Sequence, residues 1–242
     1  MARAEPDGYT LLLATPSFSA MRAVMAKPGI DPIKDFAPIS QLTFSPFILS
    51  TNSGVPANSL GELIAYARGK PGKLNYGTFG GMQKLAFEYF KQMAGIDVQP
   101  VYYRGEAPMM LGLSTDEVQV TLASAVTIEP LAQAGKVKAI AVTTKNRASS
   151  TPNIPTMAES GLPNYDVSVW YGLLAPASTP APVIRKVSNE VAAFAKRQDM
   201  IQDFMQVNYT LEGTTPDQFS ALLSNEVRRW SEVGAKANIK PE

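Results

Sequence analysis

Cysteine and histidine are both missing from the 242 residues. Without cysteine no disulfide forms, so thiols say nothing about the redox compartment. The usual zinc ligands are gone as well. Ser-His-Asp and Cys-His nucleophile systems are excluded with them. General acid–base work is left to Asp, Glu, Lys or Tyr, which need strong environmental tuning. The reading is therefore a chain with no catalytic residues, no metal and no cofactor. A charge excess is missing too. Lys plus Arg number 22 against 21 Asp plus Glu, a net charge of +1, so no field draws the chain to nucleic acid or to an anionic membrane. No apolar run is long enough to span a bilayer; residues 9–14 are far too short, and no direct membrane insertion is expected. The opening Met1-Ala2-Arg3-Ala4-Glu5-Pro6 lacks an apolar h-region, so no signal peptide is expected at this start. There is no internal repeat and no low-complexity tract.

What is present reads as a globular chain, 45% hydrophobic and 18% charged, long enough for one or two domains with a sizeable core. The most informative stretch is residues 74–93. Lys73-Leu74-Asn75-Tyr76 reads as the end of a strand, and Gly77-Thr78-Phe79-Gly80-Gly81 as a turn. From Met82 onward Leu85, Ala86, Tyr89, Phe90 and Met93 repeat at the spacing of a buried helix stripe. Gly95 stops that helix. A helix that starts behind glycines presents free N–H groups and the positive end of its dipole, which suits a carboxylate or phosphate. An ordinary strand-to-helix turn is the alternative.

Elsewhere strand and helix patterns alternate, which predicts α/β layers with largely parallel sheets. Strands are expected over residues 9–15, 36–42, 46–51, 98–102, 118–122, 137–144, 167–174 and 207–211. Helices are expected over 19–25, from the capping box Ser59-Leu60-Gly61-Glu62 to Gly69, and over 105–113 and 127–134. A further helix opens at Thr179-Pro180. The last starts at a second capping box, Thr215-Pro216-Asp217-Gln218, and runs to about Ala237. Residues 43–51 and 167–174 read as two crossings between lobes, and clefts between lobes favour small ligands.

Several motifs fall in a fixed order. They include Pro6-Asp7-Gly8-Tyr9-Thr10-Leu11-Leu12, Asp35-Phe36-Ala37-Pro38-Ile39-Ser40 and Pro71-Gly72-Lys73-Leu74-Asn75-Tyr76-Gly77. Tyr103-Arg104-Gly105-Glu106-Ala107-Pro108, Ala134-Gly135-Lys136-Val137-Lys138-Ala139 and Trp170-Tyr171-Gly172-Leu173-Leu174-Ala175-Pro176 follow. Together they resemble the solute receptors of tripartite tricarboxylate transporters, the TctC-like or Bug family, over essentially the whole chain. The resemblance implies a two-lobe α/β fold of the type II periplasmic-binding-protein kind. Residues 1–44 with 167–242 would form the first lobe and residues 45–166 the second. It further implies a periplasmic receptor that captures a small carboxylate in the cleft and hands it to membrane transporter subunits. The chain departs from the family at its start: the upstream strands and Pro-Gly-Gly loop that relatives carry are not matched, which would leave a sheet edge open.

On this reading the expected ligand contacts are Thr78, Phe79, Gly80, Gly81 and Gln83 at the glycine turn. Arg104 and Gly105 join them at the next strand end, Arg104 as a bidentate clamp or as a solvated cation. Ser124 is expected as an N-cap or a neutral pocket donor. Ser17 and Phe18 would line the cleft from the first lobe, or the serines there cap a helix. Trp170 would wall the cleft or pack at the hinge. The turn also departs from the family in carrying Phe79 and Met82, which fits either an apolar ligand end or local packing. Two other functions compete: a ligand-sensing regulatory domain of related architecture, and an enzyme using carboxylate or lysine chemistry.

Overall fold

The computed structural model describes residues 2–239 and divides into two compact units. Unit 1 is the chain up to Phe44 together with the chain from Val169 on; unit 2 is Ser45–Ser168.

Unit 1 holds strand β1 (Leu12–Ala14), helix α1 (Pro16–Val24) and the first half of the long strand β2 (Phe36–Asn52). After unit 2 come β7 (Ser168–Pro176), α6 (Ala181–Ala195), α7 (Gln198–Gln206), β8 (Thr210–Leu211) and α8 (Pro216–Lys236). β1 pairs antiparallel with β7 through Leu13↔Leu173, and β8 pairs antiparallel with β2 through Thr43↔Leu211. Helix α8 owes its start to the second capping box. Thr215 Oγ1 accepts from the Gln218 amide at 3.3 Å, and Gln218 Oε1 accepts from the Thr215 amide at 2.9 Å. Its apolar stripe buries Phe219, Leu223 and Val227 with Phe18, Phe36, Trp170 and Leu174. Gly172 is required here, because a Cβ at that position would stand 2.2 Å from the Phe219 ring.

Unit 2 continues from β2 into α2 (Leu60–Arg68), β3 (Leu74–Thr78), α3 (Gly81–Ala94) and β4 (Val98–Tyr102). It is completed by α4 (Glu106–Ser114), β5 (Val120–Ser124), α5 (Ala125–Gln133) and β6 (Val137–Val142). β3 lies between β5 and β4 and is parallel to both, whereas β2 pairs antiparallel with β5 and with β6. Each unit is therefore α/β, but the strands are mixed rather than largely parallel. The antiparallel pairs join strands far apart along the chain, β1 with β7 and β2 with β5, β6 and β8, and an apolar run carries no signal of direction. Residues 36–42 and 46–51 also fuse into one 17-residue strand. Below the helices of unit 2, Tyr76 and Phe87 stack at 3.9 Å between ring centroids, and Phe90 meets Phe87 edge-on. Full burial of each such side chain contributes about 1.5–3 kcal/mol.

Candidate functional site

The parallel core of unit 2 fixes where its loops gather. β3, β4 and β5 point the same way, so the chain leaves all three at one end of the sheet. A helix starts there each time: α3, α4 and α5.

The turn after β3 is shaped by two glycines. Gly80 has φ 88° and ψ −163°, and Gly81 has φ 56°. The first is a backbone region open in practice only to glycine. No atom lies within 4 Å of where a Cβ would sit at either residue. The first amide of α3 with an acceptor is that of Lys84, which donates to Gly80 O at 3.3 Å. The amides of Gly81, Met82 and Gln83 have no acceptor among the described residues. They stand at the positive end of a 14-residue helix, the usual seat of an anion. The Gly80 amide is not among them: it donates to Thr78 Oγ1 at 3.2 Å.

Thr78 and Gln83 are turned inward rather than offered to a ligand. Thr78 is fully buried and Gln83 is 1% exposed. Gln83 Nε2 donates to Leu122 O at 2.9 Å and to Gly77 O at 3.2 Å, and its Oε1 accepts from Thr78 Oγ1. The pair locks the start of α3 onto β3 and β5, which is why an amide-bearing side chain is found there. Phe79, in the turn itself, is 37% exposed. Lys84 Nζ lies 5.1 Å from the centre of the Tyr102 ring, a cation–π contact that the sequence reading did not single out.

Gly105 occupies the N-cap position of α4 with φ 155°. Arg104 beside it is exposed and enters no ion pair among the described residues. Ser124 holds the N-cap position of α5 but makes no side-chain cap bond. Its amide and its hydroxyl both donate to Glu106 Oε1, at 2.7 and 2.8 Å, and Thr127 Oγ1 donates to the same oxygen at 2.6 Å. Glu106 was missed by sequence reasoning. Its position as the first residue of α4 was a usable signal, since acids favour a helix start, but its reach to a residue 18 positions away was not.

Ser17, Phe18 and Trp170 belong to unit 1. Ser17 is exposed on the first turn of α1, whose N-cap position falls earlier, on Thr15, so Ser17 is no cap. Phe18 and Trp170 are buried in the core of unit 1. Phe18 meets Phe36 edge-on at 5.2 Å. Trp170 is fully buried against Phe219, and its Nε1 donates to Glu226 Oε2 at 2.7 Å.

Burial, aided by the Glu117 carboxylate, pushes the Tyr103 hydroxyl up to about 12. Among the described residues no group of three or more acids could hold a metal ion, and no helix is long and apolar enough to cross a membrane.

This arrangement of mixed α/β units is the fold of the TctC-type solute-binding proteins, as solved neighbours show. The tripartite tricarboxylate transporter family receptor, TctC, matches residues 1–239. The chain belongs to that family. A UPF0065 protein of Bordetella pertussis is 35% identical over 191 residues, 78% of this chain. The chain spans 59% of that relative's length. The structure of an R. palustris protein with adipate is 32% identical with a TM-score of 0.80, covering 100% of this chain and 82% of its own. MatC from Rhodopseudomonas palustris, with bound malate, is 28% identical with a TM-score of 0.75, covering 96% and 81%.

Proposed function

We propose that this chain is a periplasmic solute-binding receptor that captures a small organic carboxylate and delivers it to a tripartite tricarboxylate transporter. The observation that carries the reading is the start of α3, where three successive amides have no acceptor among the described residues and the glycines before them leave the approach open. A carboxylate there receives charge-assisted hydrogen bonds of the strong kind. Arg104 and the Gly105 backbone, on the adjacent loop, add a positive charge and an unhindered edge. Phe79 offers an apolar surface to the body of the ligand. Thr78 and Gln83 act through the backbone: they hold the turn so that the amides are aimed before the ligand arrives. The function is binding without covalent chemistry. The adipate and malate held by two solved relatives support the carboxylate class.

The test is calorimetry with a panel of adipate, malate, nicotinate and a tricarboxylate, on the wild type and on Gly81→Asp. The new carboxylate would occupy the amides that the ligand needs. At least one acid should bind the wild type, and the variant should lose about 100-fold in affinity, close to 3 kcal/mol, while still melting cooperatively at a modestly lower temperature, since Gly81 has φ 56°. Unchanged affinity in the variant would remove the site.

A further inference from the structure

Unit 2 carries an acid of its own beside the proposed anchor. Glu106 leaves the first turn of α4 and places Oε1 at the start of α5, where the Ser124 amide, the Ser124 hydroxyl and the Thr127 hydroxyl all donate to it, at 2.7, 2.8 and 2.6 Å. Three donors on one oxygen fix the carboxylate in place. That oxygen occupies the position in which an external anion would be received. It is also tied closely to the anchor. Leu122, two residues before Ser124, accepts from Gln83 of α3 at 2.9 Å. Tyr103, three residues before Glu106, donates its amide to Thr78 O at 2.8 Å. One helix start is thus closed by the protein's own carboxylate while the neighbouring start, at Gly81, is left open.

We infer that Glu106 determines specificity: it admits one ligand carboxylate at the start of α3 and rejects a second one on the same end of the ligand. The inference rests on the carboxylate-receptor reading and deepens it. The physical cause is like-charge repulsion. A second carboxylate on the carbon next to the first, if turned toward the start of α5, would meet a fixed negative charge, and the donors there are already occupied by Glu106. Acids with one carboxylate at this end, including those with a distant second one, avoid the conflict.

The experiment uses a matched pair of probes, adipate and butane-1,1,4-tricarboxylate, which is adipate with one extra carboxylate beside the first. Both are titrated by calorimetry into the wild type, Glu106→Gln and Ser124→Ala. Glutamine keeps an oxygen for the Ser124 amide, so the strut survives while the charge is lost. The wild type should prefer adipate. Glu106→Gln should move the affinity ratio toward the tricarboxylate by about tenfold or more, the order expected for removing one nearby like charge. Ser124→Ala loosens the strut but keeps the charge, and should leave the ratio where it was. An unchanged ratio in Glu106→Gln, with adipate still bound, overturns the inference and leaves the receptor reading standing. An equal shift in Ser124→Ala overturns it too, because the effect would then be one of structure and not of charge. Binding of neither probe to any of the three proteins overturns the receptor reading, and this inference with it.

Discussion

The two units are made of the same parts and leave different surfaces open. In unit 2 the opening is polar: backbone amides at the start of α3, next to a carboxylate that closes the start of α5. In unit 1 it is apolar. A hollow of about 950 Å³ is lined by Leu13, Leu42, Val191, Phe194, Phe204 and Leu211. Beside it β1 lies at the end of the strand order, with β7 as its neighbour, and Leu13 is 54% exposed. The apolar hollow and the proposed anion site are therefore separate features: the open N–H groups on which the proposal rests lie in unit 2.

The comparison can be broken at several points. Phe87→Ala removes a ring buried completely in unit 2. It should destabilise by about 3–5 kcal/mol, read from urea unfolding. A loss under 1 kcal/mol would show that the stack with Tyr76 is not the core of that unit. Trp170→Phe keeps the unit 1 core filled but removes a donor from buried Glu226, at a cost of about 1–3 kcal/mol. Adipate affinity should not change. A tenfold loss of affinity would return Trp170 to the ligand site and end the separation drawn here.

A smaller effect depends on pH. Burial raises the Glu226 carboxyl above its ordinary 4.5, against the opposing pull of Arg229 and of its hydrogen bonds. The folded state thus favours the proton. The contribution of Glu226 to stability is fully present below about pH 4.5 and is lost as pH rises through the raised value. Glu226→Gln removes this dependence. Its stability relative to the wild type should therefore grow as pH increases from 4.5. A difference that is flat with pH, measured by thermal melts across pH 4–8, would contradict the burial argument. Thr215→Ala opens the capping box of α8 and should cost about 1 kcal/mol, with no change in ligand affinity. Leu13→Lys should have the smallest effect on stability, under about 0.5 kcal/mol, yet lower the fluorescence of a dye bound in the hollow. Undiminished dye binding would place the apolar surface elsewhere.

Much of this was legible because it is local. The stripe of α3 and its left-handed stop at Gly95 (φ 61°) follow from residues within one helix length. So do the start of α2 at Ser59 and the capping box at Thr215. At Ser59 only half the expected box formed, since the Glu62 carboxylate accepts from Asn58 instead. Helix α7 was not expected, since Arg197 is a poor cap, although Ile201, Phe204 and Met205 repeat at helical spacing; none of its residues is buried. Phe18 is expected at the cleft because residues 15–19 follow a strand, and Trp170 because residues 167–174 read as a crossing between lobes, with packing at the hinge as its alternative. Their partners, Phe36 for one and Phe219 and Glu226 for the other, are distant in sequence.

Residue identity alone carried the receptor family, the lack of histidine and cysteine chemistry, and the glycine turn that starts α3. These depend on residue identity and on spacings of a few positions. Which donors stay open was settled by packing between distant segments. Whether an amide or a carboxylate has a partner depends on what the fold brings to it, as Gln83 is brought to Leu122 and Ser124 to Glu106, and spacing along a chain does not encode that distance.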